Sequence, residues 1–186
     1  MAQRLILKKL KLDMKNIPLA ERNEAKTAIG EYILNETFRH LERGKSPVQG
    51  EPSFKILQKK YAKEEKQGNR TPNLNLEGDL REATDFKIKP YGLDFGVVNR
   101  NKKENDKADG HNQFSSKAIA WARKIKFPKR RYVPDAKQEY TPKIQKGIET
   151  ILKQYRVSEE PVGVREDFSN EDEGVGITIT DVLGGL

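Results

Sequence analysis

Hydrophobic side chains recur at three- and four-residue intervals in two long segments of the chain, one early and one late. This spacing places them on one face of an α-helix. The first segment follows Pro18, covers about residues 20–43 and stops before Gly44, a residue type that often terminates helices. Its apolar face consists of Ala25, Ala28, Ile29, Tyr32, Ile33 and Leu41. The second segment begins with Thr141 and Pro142, which suit a helix cap and a first turn. Its apolar face consists of Tyr140, Ile144, Ile148, Ile151, Leu152 and Tyr155.

Apolar and charged residues alternate on both sides of the sequence KPYG (residues 89–92), as in two strands joined by a turn. Proline at the second turn position and glycine at the fourth suit a hairpin built on a type I turn. We therefore predict a β-hairpin at about residues 84–98. Its alternating apolar positions are Phe86, Ile88, Leu93, Phe95 and Val97.

Two segments before the hairpin carry weaker patterns. Residues 1–18 alternate loosely between leucine and lysine, which predicts a short strand or an arm. In FKILQKKYAKEEKQ, Phe54, Leu57 and Tyr61 share one face, and we predict a second, shorter helix there.

The remaining segments are predicted from shorter signals. NLNLEGDLREAT (73–84) has the composition of a strand and turn. Residues 99–110 are polar, highly charged and without periodicity, so we predict an exposed, mobile loop. A helix is predicted at about 113–125, and a short strand at RRYVP (130–134).

Together these elements predict an α+β fold. A small antiparallel sheet, made of the hairpin and short edge strands, would pack against long N- and C-terminal helices. We predict an N-terminal arm or strand at 1–18, one α+β domain at 19–156 and an extended, acidic C-terminal extension at 157–186. A chain of 186 residues is long enough for one domain with a real core and too short for two of ordinary size.

Composition narrows the class of protein. Hydrophobic residues make up 34% of the chain and charged residues another 34%, so we expect part of the chain to be extended, solvated or buried only against a partner. The absence of cysteine excludes disulfides and thiolate metal sites. We see no signal peptide and no apolar window long enough to span a membrane, and we expect a soluble protein of a reducing compartment without a membrane partner.

The charge is divided between two parts of the chain. The net charge is +8 at pH 7, and residues 157–186 contain eight acidic residues and one arginine. This extension therefore carries −7 and residues 1–156 carry +15. A basic body with an acidic extension indicates charged partners, or charge complementarity between copies of the same chain.

No residue pattern in the sequence is typical of an enzyme, and we expect no catalytic residue, cofactor or metal. Nucleophilic Ser–His chemistry would need one of the two histidines, His40 or His111. His40 lies among charged residues near the end of the first predicted helix, where packing or solvation is the simpler interpretation. Asp106, Asp109 and His111 could surround a metal ion, as in a metal-dependent nuclease, but such groups arise by chance in charged loops.

The main alternative function is nucleic-acid binding by residues 123–132. Cations that bind phosphates, interleaved with aromatic rings that stack on bases, are typical of a single-strand or backbone reader. The cluster consists of Arg123, Lys124, Lys126, Phe127, Lys129, Arg130, Arg131 and Tyr132. In the simpler interpretation the cations are solvated and the rings point into the core, and no motif of a sequence-specific reader is present.

The order of several motifs resembles that of the phage virion-morphogenesis proteins, the tail-completion and neck components of long-tailed phages. The similarity runs from about Ile29 to Leu152. GKSPVQGEPSFKILQKKYA and NLNLEGDLREAT are similar to the family segments before the hairpin, and DFGVVN to its Val-Gly strand. ADGHNQF resembles its Ala-x-x-His turn, with NQF in place of the usual glycine, and FPKRRYVPD resembles its Pro-x-Arg-x-Phe element.

This resemblance implies a structural virion protein, not an enzyme. Family members form rings at the neck or tail terminus, and we expect a hexamer closed by heterologous contacts. The implied partners are further copies of the chain, a tail-tube or tail-sheath protein and a head-connector or adaptor protein, with non-specific contact to DNA in the channel. The implied location is the virion, and the host cytoplasm during assembly.

The resemblance also implies which residues serve the fold or an interface. His111 would tie down the turn after the hairpin, and RRYVP would feed the sheet edge. The candidate residues are His111, Asn112, Phe114, Arg130, Arg131 and Tyr132. In the extension, GITITDV could add as a strand to a neighbouring copy through Ile177, Ile179 and Val182. A solvated extension is the alternative.

Overall fold

The computed structural model describes five stretches of the chain, residues 7–65, 67–71, 79–98, 102–113 and 128–157. In chain order their strands and helices are β1 (Leu7–Lys11), α1 (Arg22–Glu42), α2 (Lys59–Glu65), α3 (Asp79–Ala83), β2 (Thr84–Lys89), β3 (Gly92–Val97), α4 (Lys102–Asn112) and α5 (Pro142–Tyr155). No helix of these stretches is long and apolar enough to cross a bilayer. Apart from Val157, the predicted acidic extension lies outside the described residues.

The strands form an antiparallel sheet in which β3 lies between β1 and β2. A two-residue turn joins β2 to β3, with Lys89 opposite Gly92, so the hairpin predicted at about 84–98 is confirmed. The strand or arm predicted at residues 1–18 contains a strand, β1, which pairs with the other side of β3 and places Lys8 opposite Phe95. The predicted class, an α+β fold with a small antiparallel sheet and helices, is confirmed.

Helix α1 packs on the face of the sheet that carries the alternating apolar residues. Gly30 of α1 lies against the ring of Phe86, and a Cβ atom built on Gly30 would be 2.4 Å from that ring. Helix α5 packs in turn on α1, where Gly147 faces the hydroxyl end of Tyr32. The buried apolar residues of these elements include Ile29, Ile33, Leu93, Phe95, Val97, Ile144 and Leu152, and Tyr140 joins the same core from just before α5.

The prediction of an exposed, mobile loop at 99–110 is wrong for residues 102–110, which lie in α4. Asn105, Ala108 and Asn112 recur at helical spacing and are buried. Two of these three inward positions are asparagines, so the hydrophobic period that indicates a helix is missing from the sequence. His111 consequently lies in the last turn of a helix.

Two elements before the hairpin also differ from the prediction. The second helix begins at Lys59, and the preceding residues Phe54 and Leu57 are buried in an irregular segment. The end of the predicted strand and turn at 73–84 is helical, since α3 occupies residues 79–83. In both places apolar residues are buried in the core, but the backbone that carries them is not the helix or strand that the sequence predicts.

The short strand predicted at RRYVP is wrong, because this segment pairs with no strand in the described sheet. Its backbone groups are bound elsewhere. The Arg130 amide donates to the His111 carbonyl at 2.9 Å, and the Ser46 hydroxyl donates to the Arg131 carbonyl at 2.6 Å. Groups that already have partners are not available to a strand ladder. The helix predicted at about 113–125 lies, beyond Gln113, outside the described residues.

Gly30→Ala should lower the free energy of unfolding by about 1–3 kcal/mol, because the added methyl group would overlap the Phe86 ring in a packed core. Alanine is the better helix former by about 1 kcal/mol, so an uncrowded position would give the opposite sign. Urea unfolding at pH 7 measures the change. In the matched control, Gly30→Ala is placed on Phe86→Leu, where the smaller side chain should reduce the loss. A stabilised Gly30→Ala variant would contradict this packing.

Candidate functional site

The side chain of Asn112 joins the end of α4 to a segment twenty residues later in the chain. Asn112 is fully buried, with 0% exposed. Its Oδ1 accepts the backbone amides of Tyr132 and Val133, each at 3.0 Å, and its Nδ2 donates to the carbonyl of Ala108 at 2.8 Å. A carboxamide can accept two hydrogen bonds and donate another without carrying a charge. Asn112 therefore fixes residues 132–133 against α4.

Arg131 adds further contacts at the same place. Its Nε and Nη2 donate to the carbonyl of Asn112, each at 3.4 Å. Its Nη1 donates to the Asp135 carboxylate at 3.3 Å and to the side-chain carbonyl of Gln138. A planar guanidinium can hold a helix end and a loop in one fixed geometry. We refer to Glu51, Asn112, Arg131, Asp135 and Gln138 as the polar junction.

Glu51 brings the first third of the chain into the polar junction. Its Oε1 accepts hydrogen bonds from Lys129 at 2.6 Å and from Gln138 at 3.0 Å, and lies 3.4 Å from Nη1 of Arg131. The side chain is only 10% exposed. Burial acts to raise the pKa of this carboxyl, but the hydrogen bonds from Lys129 and Gln138 and the nearby cations outweigh burial and hold the pKa below its ordinary value.

Lys8 ties the first strand to the loop that carries the polar junction. It lies on the inward face of β1 and is 5% exposed. Its Nζ donates to the carbonyl of Asp135 at 3.1 Å, to the carbonyl of Gln138 and to the carboxylate of Glu139 at 3.2 Å. An ammonium group has three donors, and leaving them unbonded in the interior would be costly. The loop therefore provides the acceptors that allow this lysine to be buried.

His111 precedes Asn112 in the last turn of α4, and its carbonyl accepts the Arg130 amide at 2.9 Å. Burial, together with the charges of Arg130 and Lys107, lowers the pKa of its imidazole to about 3. A general base works best when its pKa is near the operating pH. The neutral, enclosed imidazole is suited instead to packing.

The structure brings together five of the residues selected from the sequence, two of which, His111 and Arg130, are joined by the backbone hydrogen bond described above. Asn112 and Arg131 meet in the polar junction, and Tyr132, 1% exposed, lies in the hydrophobic core. A role for these side chains in contacts between subunits stays a prediction. The selected residues outside the described part of the chain are Phe114, Ile177, Ile179 and Val182.

The described residues do not support the metal site considered at Asp106, Asp109 and His111. All three lie on α4, where 3.6 residues per turn direct His111 to a different side of the helix from the two aspartates. Within the described ranges, no group of three His, Asp or Glu side chains could hold a metal ion.

Sequence reasoning missed Lys8, Glu51, Asp135 and Gln138. Lys8 and Gln138 are 130 positions apart, and Glu51 and Gln138 are 87 apart, so no local pattern connects them. Lys8 alone left a signal. It occupies the same side of β1 as Leu10, where alternation predicts a buried residue.

The described part of the basic cluster 123–132 contacts the protein's own groups. Lys129 and Arg131 bind Glu51, and the ring of Tyr132 is buried. A site for phosphates and bases needs such cations and rings to face solvent. Arg131 and Tyr132 would have to leave their present positions before they could bind nucleic acid, whereas Lys129, with 39% of its side chain exposed, pairs with Glu51 and also faces solvent.

The chemistry of the polar junction is that of a structural tie. Its amide and charged groups bond one another and backbone groups, and so join the end of α4, the loop at Glu51 and the segment before α5. Comparison of the chain with protein-family models, with curated proteins and with solved structures finds no match.

Asn112→Ala should lower the free energy of unfolding by about 2–4 kcal/mol, because two buried backbone amides would lose their acceptor. Chemical denaturation at pH 7 measures this loss. Lys137→Ala changes an exposed side chain of the connected segment and serves as the control, with an expected change within about 0.5 kcal/mol. Equal stability of the two variants would show that Asn112 does not hold the segment.

His111 should make the protein less stable in mild acid. The histidine pKa is about 6.5 in an unfolded chain, and in the folded protein it is about 3. Below pH 6.5 the unfolded state therefore binds more protons, and the free energy of unfolding falls as the pH drops toward 3. Above pH 6.5 this contribution is complete. One histidine accounts for a slope of up to about 1.4 kcal/mol per pH unit.

His111→Gln should reduce that slope, measured by urea unfolding between about pH 6.5 and pH 5. The carboxyl of Glu51 does not interfere there, because its stabilisation is lost only below the unfolded pKa of about 4.3. His40→Gln is the matched control, since burial also lowers the pKa of His40 and its removal leaves the His111 contribution in place. Identical slopes in wild type and His111→Gln would refute the assignment.

Proposed function

We propose that this protein is a structural, non-enzymatic component of a tailed-phage virion. It forms a ring at the neck or tail terminus, which completes the tail or joins it to the head connector. Complementary surfaces of neighbouring copies close the ring, expected to be a hexamer. One face then meets the tail-tube or tail-sheath protein or the head-connector protein. Assembly takes place in the host cytoplasm, and the protein remains in the virion.

The observation that carries this proposal is that side chains of the segment FPKRRYVPD point into the protein. In this segment Arg131 binds Glu51, Asp135 and Gln138, and Tyr132 is buried. The resemblance implies that the same segment is a fold element, while a nucleic-acid site requires its cations to face outward. Inward use of these groups supports the structural function.

The division of charge also supports assembly from identical copies. The body carries +15 and the extension −7, so each copy has a surface that attracts part of another copy. Ile177, Ile179 and Val182 are the candidate intersubunit contacts of the extension. Opposite charges would favour encounter, and the apolar residues would supply the contact itself.

The alternative remains a basic nucleic-acid-binding protein that uses residues 123–132. Lys129 and Arg131 already pair with Glu51, so it would rely chiefly on the other cations of the cluster, among them Arg123, Lys124 and Lys126. Neutralising these three cations together should then weaken DNA binding and reduce its dependence on salt, by a slope of about 0.9 for each phosphate that is no longer neutralised.

The native mass of the purified protein, measured by light scattering at low and high salt, tests the two functions. A closed oligomer, or a monomer that becomes a ring when tail-tube or connector protein is added, is the expected result. DNA binding is measured in parallel with the Arg123→Gln, Lys124→Gln and Lys126→Gln triple variant. A strict monomer that ignores both proteins and binds DNA with a steep salt dependence, lost in that variant, would replace the proposal with the alternative.

A further inference from the structure

The outer side of β2 is an open sheet edge in the described part of the fold. In a hairpin with a two-residue turn, Lys89 and Gly92 exchange hydrogen bonds, and along an antiparallel pair such bonded positions alternate with non-bonded ones. The backbone groups of Lys87 and Lys89 therefore point toward β3, and those of Phe86 and Ile88 point away from the sheet. No strand of the described residues pairs on that side.

The two outward-pointing residues are treated differently. The amide of Phe86 is bonded by the carboxylate of Asp85 at 2.8 Å, and its ring is covered by Gly30 of α1. Ile88, two residues nearer the hairpin tip, is 40% exposed, although it is a large apolar residue on the inward face. Exposed sheet edges usually carry protection against pairing with other chains. Here the hydrogen bond to Asp85 and the cover from α1 protect Phe86, and Ile88 is more exposed.

The extension of the same chain contains a segment that matches this edge. GITITDV (176–182) alternates isoleucine with threonine, two β-branched residues that favour strands. Acids stand on both sides of its isoleucines, at 171–173 and at Asp181. The β2 edge carries Lys87, which is exposed, and Lys89, which is half-buried. The edge therefore offers an apolar residue flanked by cations, and the segment offers an apolar pair flanked by acids.

We propose that residues 176–182 of one copy add as a fourth strand to the β2 edge of a second copy. Ile177 and Ile179 share one face of the added strand and lie beside Ile88, while Thr178 and Thr180 lie on the face of Lys87. The 18 residues between Val157 and Gly176 can span about 60 Å when extended, enough to reach a neighbouring molecule. This inference rests on the proposed ring and specifies one of its contacts.

Disulfide trapping between separately made variants tests the strand addition, and the chain is well suited to it because it has no cysteine of its own. Ile88→Cys is mixed with Ile177→Cys or with Ile179→Cys, and the mixture is oxidised under native conditions. Only a contact between different molecules can then give a disulfide-linked dimer. Alternate residues of an added strand lie on the same face. The yield of disulfide-linked dimer should therefore be severalfold higher for Ile88→Cys with Ile177→Cys or Ile179→Cys than with Thr178→Cys.

Two matched variants locate the edge and the face. Lys87→Cys, adjacent to Ile88 but on the opposite face, should reverse the preference and link to Thr178→Cys. Lys9→Cys lies on β1, the strand at the other side of the sheet, and should link to neither set. The proposal would be overturned if Ile88→Cys linked equally to positions 177, 178 and 179, or if Lys9→Cys linked as strongly as Ile88→Cys.

The native mass of each mixture separates failure of this contact from failure of the proposed function. A ring that forms without any disulfide at Ile88 would overturn the strand addition and leave the ring intact. A strict monomer that also ignores tail-tube and connector protein would overturn both. Closure within one chain, seen as an intramolecular disulfide and no dimer in the Ile88→Cys/Ile179→Cys double variant, would overturn the exchange between copies.

Discussion

The two hydrogen bonds that Asn112 accepts from the amides of Tyr132 and Val133 are the contact on which the described fold depends. The segment before α5 belongs to no helix or strand, so its buried amides cannot be bonded by a regular ladder. A single uncharged side chain supplies the acceptor. With the segment fixed in this way, Tyr132 enters the core and Arg131 is directed toward Glu51 and Gln138.

The same fixed segment changes the meaning of its positive charges. A run of lysine and arginine in a basic protein suggests binding to phosphates. Arg131, however, pairs with Glu51 where both side chains are largely shielded from water, and a buried pair becomes costly when one partner is removed. Lys129 binds the same carboxylate from a more exposed position. Local composition therefore indicates the kind of side chain available, while the tertiary fold determines whether that side chain faces a ligand or another part of the protein.

The sequence predicts those parts of the fold in which the buried residues are apolar and regularly spaced. The hairpin was predictable because Phe86 and Leu93 belong to an alternating series on either side of a recognisable turn. Helix α4 was not, since its inward positions include Asn105 and Asn112, which a hydrophobicity pattern does not register as buried. The burial of Asn112 depends on its hydrogen bonds. Asn112 was selected through motif order alone, and Arg131 through motif order and through its place in the basic cluster. Their partners Glu51 and Gln138 were missed because they are brought together only by the complete fold.

The buried amine of Lys8 has a consequence for the order in which the molecule is completed. Its acceptors at residues 135–139 are synthesised last among the described segments, apart from α5 and its flanking residues. Until they emerge from the ribosome, burying this ammonium on the sheet would leave it without partners. We expect β1 to dock late, after the hairpin and α1 have met, because contacts so distant in sequence close slowly. Of the three described strands, the one translated first would then be the last to join the native sheet.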